Sequence, residues 1–320
     1  MKKRLLVTEF WGLGDLAIAS EFLQNAIKDF DVLLVAKPYA VDLGKELWPK
    51  VQVVPFVAPW TSFRGKYQLH KWPWPELKSM LHRVRGFQPD IAISGRWDPR
   101  DHLILALSGA TKRVGFPRKG SGLLLTQSLS RVPEDAPRTA QWKALQKALQ
   151  ITPSIPPPRP LADESKSLVI HTGAAQAVRV WPLDRYARLA DHLTRRGWSI
   201  TVLCDQDQKS SWLNYGVSPI VPSNPTELIC GLKMGSFFIG NDSGPGHLAA
   251  ALGRPTFTIF GPQRPEWFLP NHPSAAWIEG KPCPHKPCFD YCQFPRPNCI
   301  LDLTYEEVMA KVDQWLEGHD

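Results

Sequence analysis

Short, almost wholly apolar runs alternate along the chain with longer stretches in which apolar positions recur every three or four residues. In the first half the apolar runs are residues 4–8, 31–36, 51–56, 90–94 and 112–116, and helix-like stretches stand at 15–28, 101–107 and 139–150. Strands that do not alternate apolar with polar are buried on both faces, and helices between them predict a parallel α/β sheet. Residues 151–160, ITPSIPPPRP, then place five prolines among ten positions. Neither a helix nor a central strand tolerates that density, so the stretch predicts a linker. Beyond it the pattern restarts, with strands at 168–171, 199–203, 220–222, 237–240 and 256–260 and helices at 183–196, 225–233 and 244–252. Two such halves predict a pair of doubly wound Rossmann-like domains, 1–155 and 156–303. A tail, 304–320, carries a last helix over 305–316, opened by Thr304 with Glu307 in a capping-box spacing and expected to pack back toward the N-terminal domain.

With 320 residues, 43% of them apolar and 21% charged, the chain has globular composition and more length than one core usually organises. No apolar run exceeds five residues, which excludes a membrane-spanning helix. The basic residues 2–4 are followed by only three apolar positions, too few for a secretory signal, so the cytoplasm is expected. Charge changes the picture more than composition does. The formal +8 divides into +11 over residues 1–160, with 24 Lys and Arg against 13 Asp and Glu, and −3 over the rest. The first half therefore suits an anionic partner, such as nucleic acid, a phosphorylated substrate or an acidic membrane surface, or else carries a solvated basic face.

Three stretches carry candidate chemistry. Residues 240–262, GNDSGPGHLAAALGRPTFTIFGP, read as strand, polar turn, helix and strand. Ser243 and Gly244 fall where a helix offers unpaired N–H groups to an anion such as a diphosphate. Asp242 either caps that helix or binds a hydroxyl, and His247, one turn on, either reaches a phosphate oxygen or satisfies a core contact. Near the N-terminus, WGLGD sets Gly12 and Gly14 in a turn and Asp15 at a helix start, as a general base or as a cap. The third stretch, HTGAAQAVRVWP, ends a strand at His171, turns through Thr172 and Gly173, and offers Arg179 as a fork for phosphate oxygens or as a plain surface arginine.

Two further groups stand apart. Between Trp60 and Pro75, Arg64, Lys66, His70 and Lys71 interleave with Trp60, Phe63, Tyr67, Trp72 and Trp74, and a second basic turn, Arg118 and Lys119, precedes Gly120. Bases among aromatics suit nucleic acid or a membrane interface. No nucleic-acid-binding motif accompanies them, which favours an anionic, lipid-linked saccharide at a membrane surface. The alternative is a proline-rich loop whose tryptophans pack on their own domain. Cys283, Cys288, Cys292 and Cys299 crowd together at C-x4-C-x3-C-x6-C spacing, while Cys204 and Cys230 stand alone, unlike a disulfide framework. Four thiols so close could hold structural zinc or iron, or remain reduced; the C-x2-C pair of zinc knuckles is absent.

Taken together, GLGD after the first strand, H-T-G then R-x-W-P opening the second half, the NDSGPGHL block and the terminal cysteine segment resemble the bacterial ADP-heptose:lipopolysaccharide heptosyltransferases, glycosyltransferase family nine. The resemblance implies a GT-B architecture, two Rossmann-like domains facing a central cleft, and an inverting, cofactor-independent sugar transfer from a nucleotide-diphosphate donor, ADP-heptose favoured, to a lipopolysaccharide-core acceptor. It makes Asp15 the catalytic base. Thr172, Gly173, Arg179, Asp242, Ser243, Gly244 and His247 become donor contacts, and Asp207, beside Cys204, Asp205 and Gln206, is the candidate for the ribose hydroxyls. Arg64, Lys66, Lys71, Arg118 and Lys119 would meet an anionic glycolipid acceptor at the inner face of the membrane. Lys commonly stands where this chain has Arg179. Rival readings are transfer to a protein acceptor, a nucleotide-sugar epimerase of the same architecture, and a nucleotide-sugar-binding protein without turnover.

Overall fold

The computed structural model describes residues 2–62, 67–153 and 166–319. The chain divides into two units, Met1–Ile155 and Pro156–Asp320. All but the first three residues of the proline-rich linker lie outside the described residues.

The first unit is built on six parallel strands, β1 (Lys3–Glu9), β2 (Phe30–Ala36), β3 (Gln52–Pro55), β4 (Ile91–Ser94), β5 (Lys112–Gly115) and β6 (Gln127–Ser128). Their order across the sheet is β3-β2-β1-β4-β5-β6. Thr8 of β1 pairs with Val35 on one side and Ser94 on the other, so β1 and β4 are neighbours from which the chain winds in opposite directions. The strand centres, among them Leu5, Leu6, Val7 and Ile93, are fully buried, as unalternating apolar runs require. The expected helix over 15–28 is two, Leu13–Ile18 and Ser20–Asp29, parted by a turn at Ala19. Two helices go beyond the sequence reading, Ala40–Leu47 and Trp74–Phe87. The second takes up the end of the aromatic stretch and sets Met80 and Val84 on the same core as Trp60. Trp60 is buried, 5.5 Å from the Phe10 ring and 5.4 Å from that of Trp72. Most of this tryptophan cluster therefore packs on its own unit, and Trp74, half exposed, is its outer member.

The second unit carries five parallel strands, β7 (Ser167–His171), β8 (Ser199–Leu203), β9 (Phe237–Asn241), β10 (Thr256–Phe260) and β11 (Ala276–Glu279), in the order β11-β10-β9-β7-β8. Here the winding reverses between β7 and β9. The strand expected at 220–222 reduces to a single bridge from Leu203 to Ile220, because Pro222 has no N–H to extend the ladder. The last helix, Tyr305–Glu317, opens with a reciprocal cap: the Glu307 N–H donates to Thr304 Oγ1 at 3.2 Å, and the Thr304 N–H to Glu307 Oε2 at 2.8 Å. The sequence reading turned this helix toward the N-terminal domain. Its buried face, Val308, Val312, Trp315 and Leu316, joins Leu189, Leu193 and Phe257 in the core of the second unit. Apolar positions four residues apart place that whole stripe on one side, and the second sheet covers it. Among the described residues no helix is long and apolar enough to cross a membrane.

Candidate functional site

In a doubly wound sheet the loops after two neighbouring strands diverge where the winding reverses, and the carboxyl ends of those strands are left open to a ligand. In the first unit those strands are β1 and β4. β1 ends at Glu9, and the chain turns through Trp11 and Gly12 into the helix Leu13–Ile18, whose third residue is Asp15. Asp15 Oδ2 accepts the Gly12 N–H at 3.0 Å, and its other oxygen closes on the Arg96 guanidinium. Asp15 thus ties down the helix start while its carboxylate stands in a charged cluster, so its two sequence readings are compatible. Arg96, two residues beyond β4, also places Nε 3.5 Å from Glu9 Oε2 and lies over the Trp11 ring at 5.5 Å. Glu9 is buried, with Oε1 accepting the Trp11 N–H at 3.1 Å. Burial pushes its pKa up to about 7, against the pull of Arg96 and with the repulsion of Asp15. Tyr39 donates to the Trp11 carbonyl at 2.9 Å, its own pKa raised by burial and by both carboxylates. Sequence reading missed Glu9 and Arg96; the only signal was one charged residue just past each of two apolar runs.

In the second unit the reversal brings together the ends of β7 and β9. Asn241 is the hub: its Oδ1 accepts from the Trp181 N–H at 3.0 Å and the Tyr186 hydroxyl at 2.9 Å, while its Nδ2 donates to the Thr172 carbonyl at 2.9 Å. The two polar stretches of this half, 171–182 and 240–262, are therefore joined in one buried network with Tyr186. Ser243, not Asp242, is the N-cap of the helix Gly244–Ala251, and its buried Oγ has no hydrogen-bond partner among the described residues. That hydroxyl stands with the Gly244 N–H at the positive end of the helix, while Pro245 has no N–H and the Gly246 N–H donates to the Ser243 carbonyl at 3.2 Å. His247 is buried one turn further on.

Asp242 is buried beside Arg179, with its carboxylate 3.2 Å from the guanidinium; burial pushes its pKa up to about 6, opposed by Arg179 and reinforced by Asp290. Arg179 is no loose surface arginine. It forks onto Asp290 with two bonds of 2.7 Å, so a residue of the cysteine segment, which the sequence reading left out, fixes it. The expectation for Thr172 is a phosphate contact, but its hydroxyl is committed inward, donating to Gln208 Oε1 at 2.8 Å and accepting from Trp212 Nε1 at 3.2 Å. A Cβ at Gly173 would sit 2.2 Å from Asp205 Oδ2, so any larger residue there would have to displace that carboxylate. The carboxylate against the β7 turn is thus that of Asp205, raised by burial and by Asp207; Asp207 itself is exposed in the following turn.

The four clustered cysteines, all free, line one cavity of about 240 Å³ together with His285 and Asp302. Burial, with the neighbouring thiols, pushes Cys299 up to about 11. Among the described residues no three His, Cys, Asp or Glu side chains converge as metal ligands. The thiols share this pocket as free cysteines, the reduced state that the sequence leaves open beside a structural zinc or iron. On the basic side, Lys71, Arg118 and Lys119 are exposed, the last in a left-handed turn, whereas Arg64 and Lys66 lie outside the described residues.

Two parallel α/β units, each with its polar residues gathered where the winding reverses, define a protein of the GT-B type. A sequence profile of glycosyltransferase family 9 (heptosyltransferase) matches residues 122–296, more than half of the chain, which belongs to that family. Lipopolysaccharide heptosyltransferase 3 of Escherichia coli (strain K12) is 27% identical over 133 residues, 38% of this chain and 35% of that protein. The chain thus matches about a third of the length of its curated relatives. A glycosyl transferase of family 9 from Veillonella parvula superposes with a TM-score of 0.80 at 16% identity, over 99% of this chain and 98% of its own. E. coli heptosyltransferase WaaC with ADP gives 0.76 at 15% identity, over 98% and 99%.

Proposed function

We propose that this protein is an inverting glycosyltransferase that moves a heptose or related sugar from a nucleotide-diphosphate donor, ADP-heptose in the first instance, to a lipopolysaccharide-core-type acceptor. The observation that carries the reading is the unpartnered, buried Ser243 hydroxyl at the open start of the helix Gly244–Ala251, where the winding of the second sheet reverses. A diphosphate there would gain the Gly244 N–H and the positive end of the helix dipole, and charge developing on it as the sugar leaves would be stabilised without a metal ion. Arg179 has its fork on Asp290 and its remaining nitrogen on Asp242, so it would act by fixing the Asp242 turn beside the diphosphate rather than by offering that fork to the phosphates. Asp205 and Asp207 offer carboxylates for ribose hydroxyls. In the chemical step Asp15 takes the proton of the acceptor hydroxyl, whose oxygen bonds to the anomeric carbon as the bond to the diphosphate oxygen breaks. Lys71, Arg118 and Lys119, with the exposed rings of Tyr67 and Trp74, are proposed to meet an anionic glycolipid at the inner face of the cytoplasmic membrane.

Calorimetry with ADP and UDP tests the donor site. ADP should bind tighter than ~1 mM, and Ser243→Ala should weaken it about tenfold, the loss of one charge-assisted hydrogen bond. Binding of neither nucleotide, or affinity unchanged in the variant, would remove the diphosphate from this helix. Asp15→Asn should keep its fold and nucleotide affinity yet lose ~10²–10⁴-fold in turnover.

A further inference from the structure

Arg96 stands between two carboxylates of different character. Asp15 sits at the helix start, a quarter exposed, with one oxygen on the Gly12 N–H and the other on Arg96. Glu9 is held inside by the Trp11 N–H, and its Oε2, 3.5 Å from Arg96 Nε, makes no hydrogen bond. All three come from the ends of β1 and β4, and Trp11 floors the guanidinium. A buried carboxylate with one oxygen unbonded is costly unless it acts on its neighbour. Here the neighbour is the cation that touches the base.

We infer that Glu9 and Arg96 are positioning residues for the transfer: Arg96 fixes the Asp15 carboxylate, and Glu9 draws off part of the Arg96 charge so that Asp15 remains basic enough to take a proton. The inference rests on Asp15 being the base. Were Arg96 paired with Asp15 alone, it would favour the ionised form and weaken the base. A second anion on the far side of the guanidinium restores proton affinity to Asp15. Glu9 does this only when ionised, and its position near pH 7 makes the effect titratable. The other groups facing this cluster are Tyr39, Arg138, Asp101 and His102, whose Nε2 lies 3.2 Å from the Arg96 carbonyl and whose pKa burial lowers from the ordinary imidazole value. Tyr39 is raised and Arg138 is a cation, so neither changes charge around neutrality. Asp101 feels both Glu9 and Arg96 and titrates near 8, so it must be controlled for.

The test is the pH profile of kcat from 5.5 to 9 for wild type, Glu9→Gln, Arg96→Lys, the double variant and Asp15→Asn, with nucleotide affinity and thermal unfolding as controls, and the first comparison repeated in an Asp101→Asn background. Glutamine mimics protonated Glu9. The wild-type to Glu9→Gln ratio of kcat should therefore lie near one at the acid end and rise to about three- to tenfold above pH 8, with its midpoint near pH 7. Arg96→Lys cannot fork to two carboxylates and should lower kcat roughly tenfold or more with donor affinity unchanged. In the double variant the Glu9→Gln effect should vanish. A ratio independent of pH, or one that moves only through Asp101, would overturn the role of Glu9, and additive losses in the double variant would overturn its action through Arg96. Near-normal turnover in Asp15→Asn would instead overturn the reading on which the inference rests.

Discussion

Asp101 is a fully buried carboxyl. Trp60 Nε1 donates to its Oδ1 at 2.8 Å and the Ser94 hydroxyl stands 3.3 Å from its Oδ2, and burial, followed by the nearby Asp98, pushes its pKa up to about 8. An acid whose pKa is higher in the folded than in the unfolded chain holds its proton longer when folded. Stability is then lost as pH rises between the ordinary aspartate value and 8, and is constant outside that window. Asp101→Asn keeps an acceptor for Trp60 and a donor for Ser94 without the ionisation. The variant should therefore melt a few degrees above wild type at pH 8, with the gap closing toward pH 4, as differential scanning calorimetry across that range would show. An equal or lower melting temperature at pH 8 would mean that Asp101 stays ionised through an interaction with Arg96. Residues of this kind were hidden in the sequence, since an aspartate one turn into a helix reads as a first-turn acid. Glu9 and Arg96 were hidden for another reason: 87 positions separate them, and only the adjacency of β1 and β4 joins them. Asp15, Ser243 and Gly244 were legible because local turn chemistry and helix polarity mark them directly.

Elements followed the sequence where apolar pattern and chain breaks agree. Apart from 220–222, every strand expected from an unalternating apolar run appears within a residue or two of its expected place, because burial on both faces leaves no polar position to blur it. The misses lie at the rims. β11 alternates half-buried with exposed residues at the sheet edge, and the helix Trp74–Phe87 starts in a cluster of tryptophan and proline that resembles a loop. Pro75 in its first turn is nevertheless compatible with a helix, since the N–H it lacks would go unpaired there. The cysteine segment shows how far an irregular element can matter. Its Asp290, in a left-handed conformation, clamps Arg179, and a Cβ at Gly280 would come 2.0 Å from the Cys299 carbonyl. Gly280→Ala should displace this segment and release Arg179. Nucleotide affinity should fall in that variant while Asp290→Asn, which keeps the loop, gives a smaller loss. If calorimetry finds both unchanged, the clamp has no part in donor binding.

At the scale of the whole molecule the charge division remains to be explained, because +11 over residues 1–160 beside −3 over the remainder is more than the nucleotide site proposed for the second unit requires. Exposed Tyr67, Leu69 and Trp74 stand beside Lys71, and Leu123, 94% exposed, follows Arg118 and Lys119 by a few residues. A solvated basic face does not need such exposed side chains. A surface that meets acyl chains and acidic headgroups would, with the bases contributing about 1 kcal/mol each near an anionic bilayer and the field screened over ~8 Å at physiological salt. Co-sedimentation should therefore show binding to vesicles of anionic lipid but not of neutral lipid, weakening as salt rises. Replacing Lys71, Arg118 and Lys119 together should abolish most of it, while Trp74→Ala should lower it without changing its salt dependence, since the ring acts through apolar insertion rather than charge. Binding indifferent to lipid charge and to the triple replacement would leave the basic half without a membrane role, and a soluble anionic saccharide or a protein acceptor would then better account for the same surface.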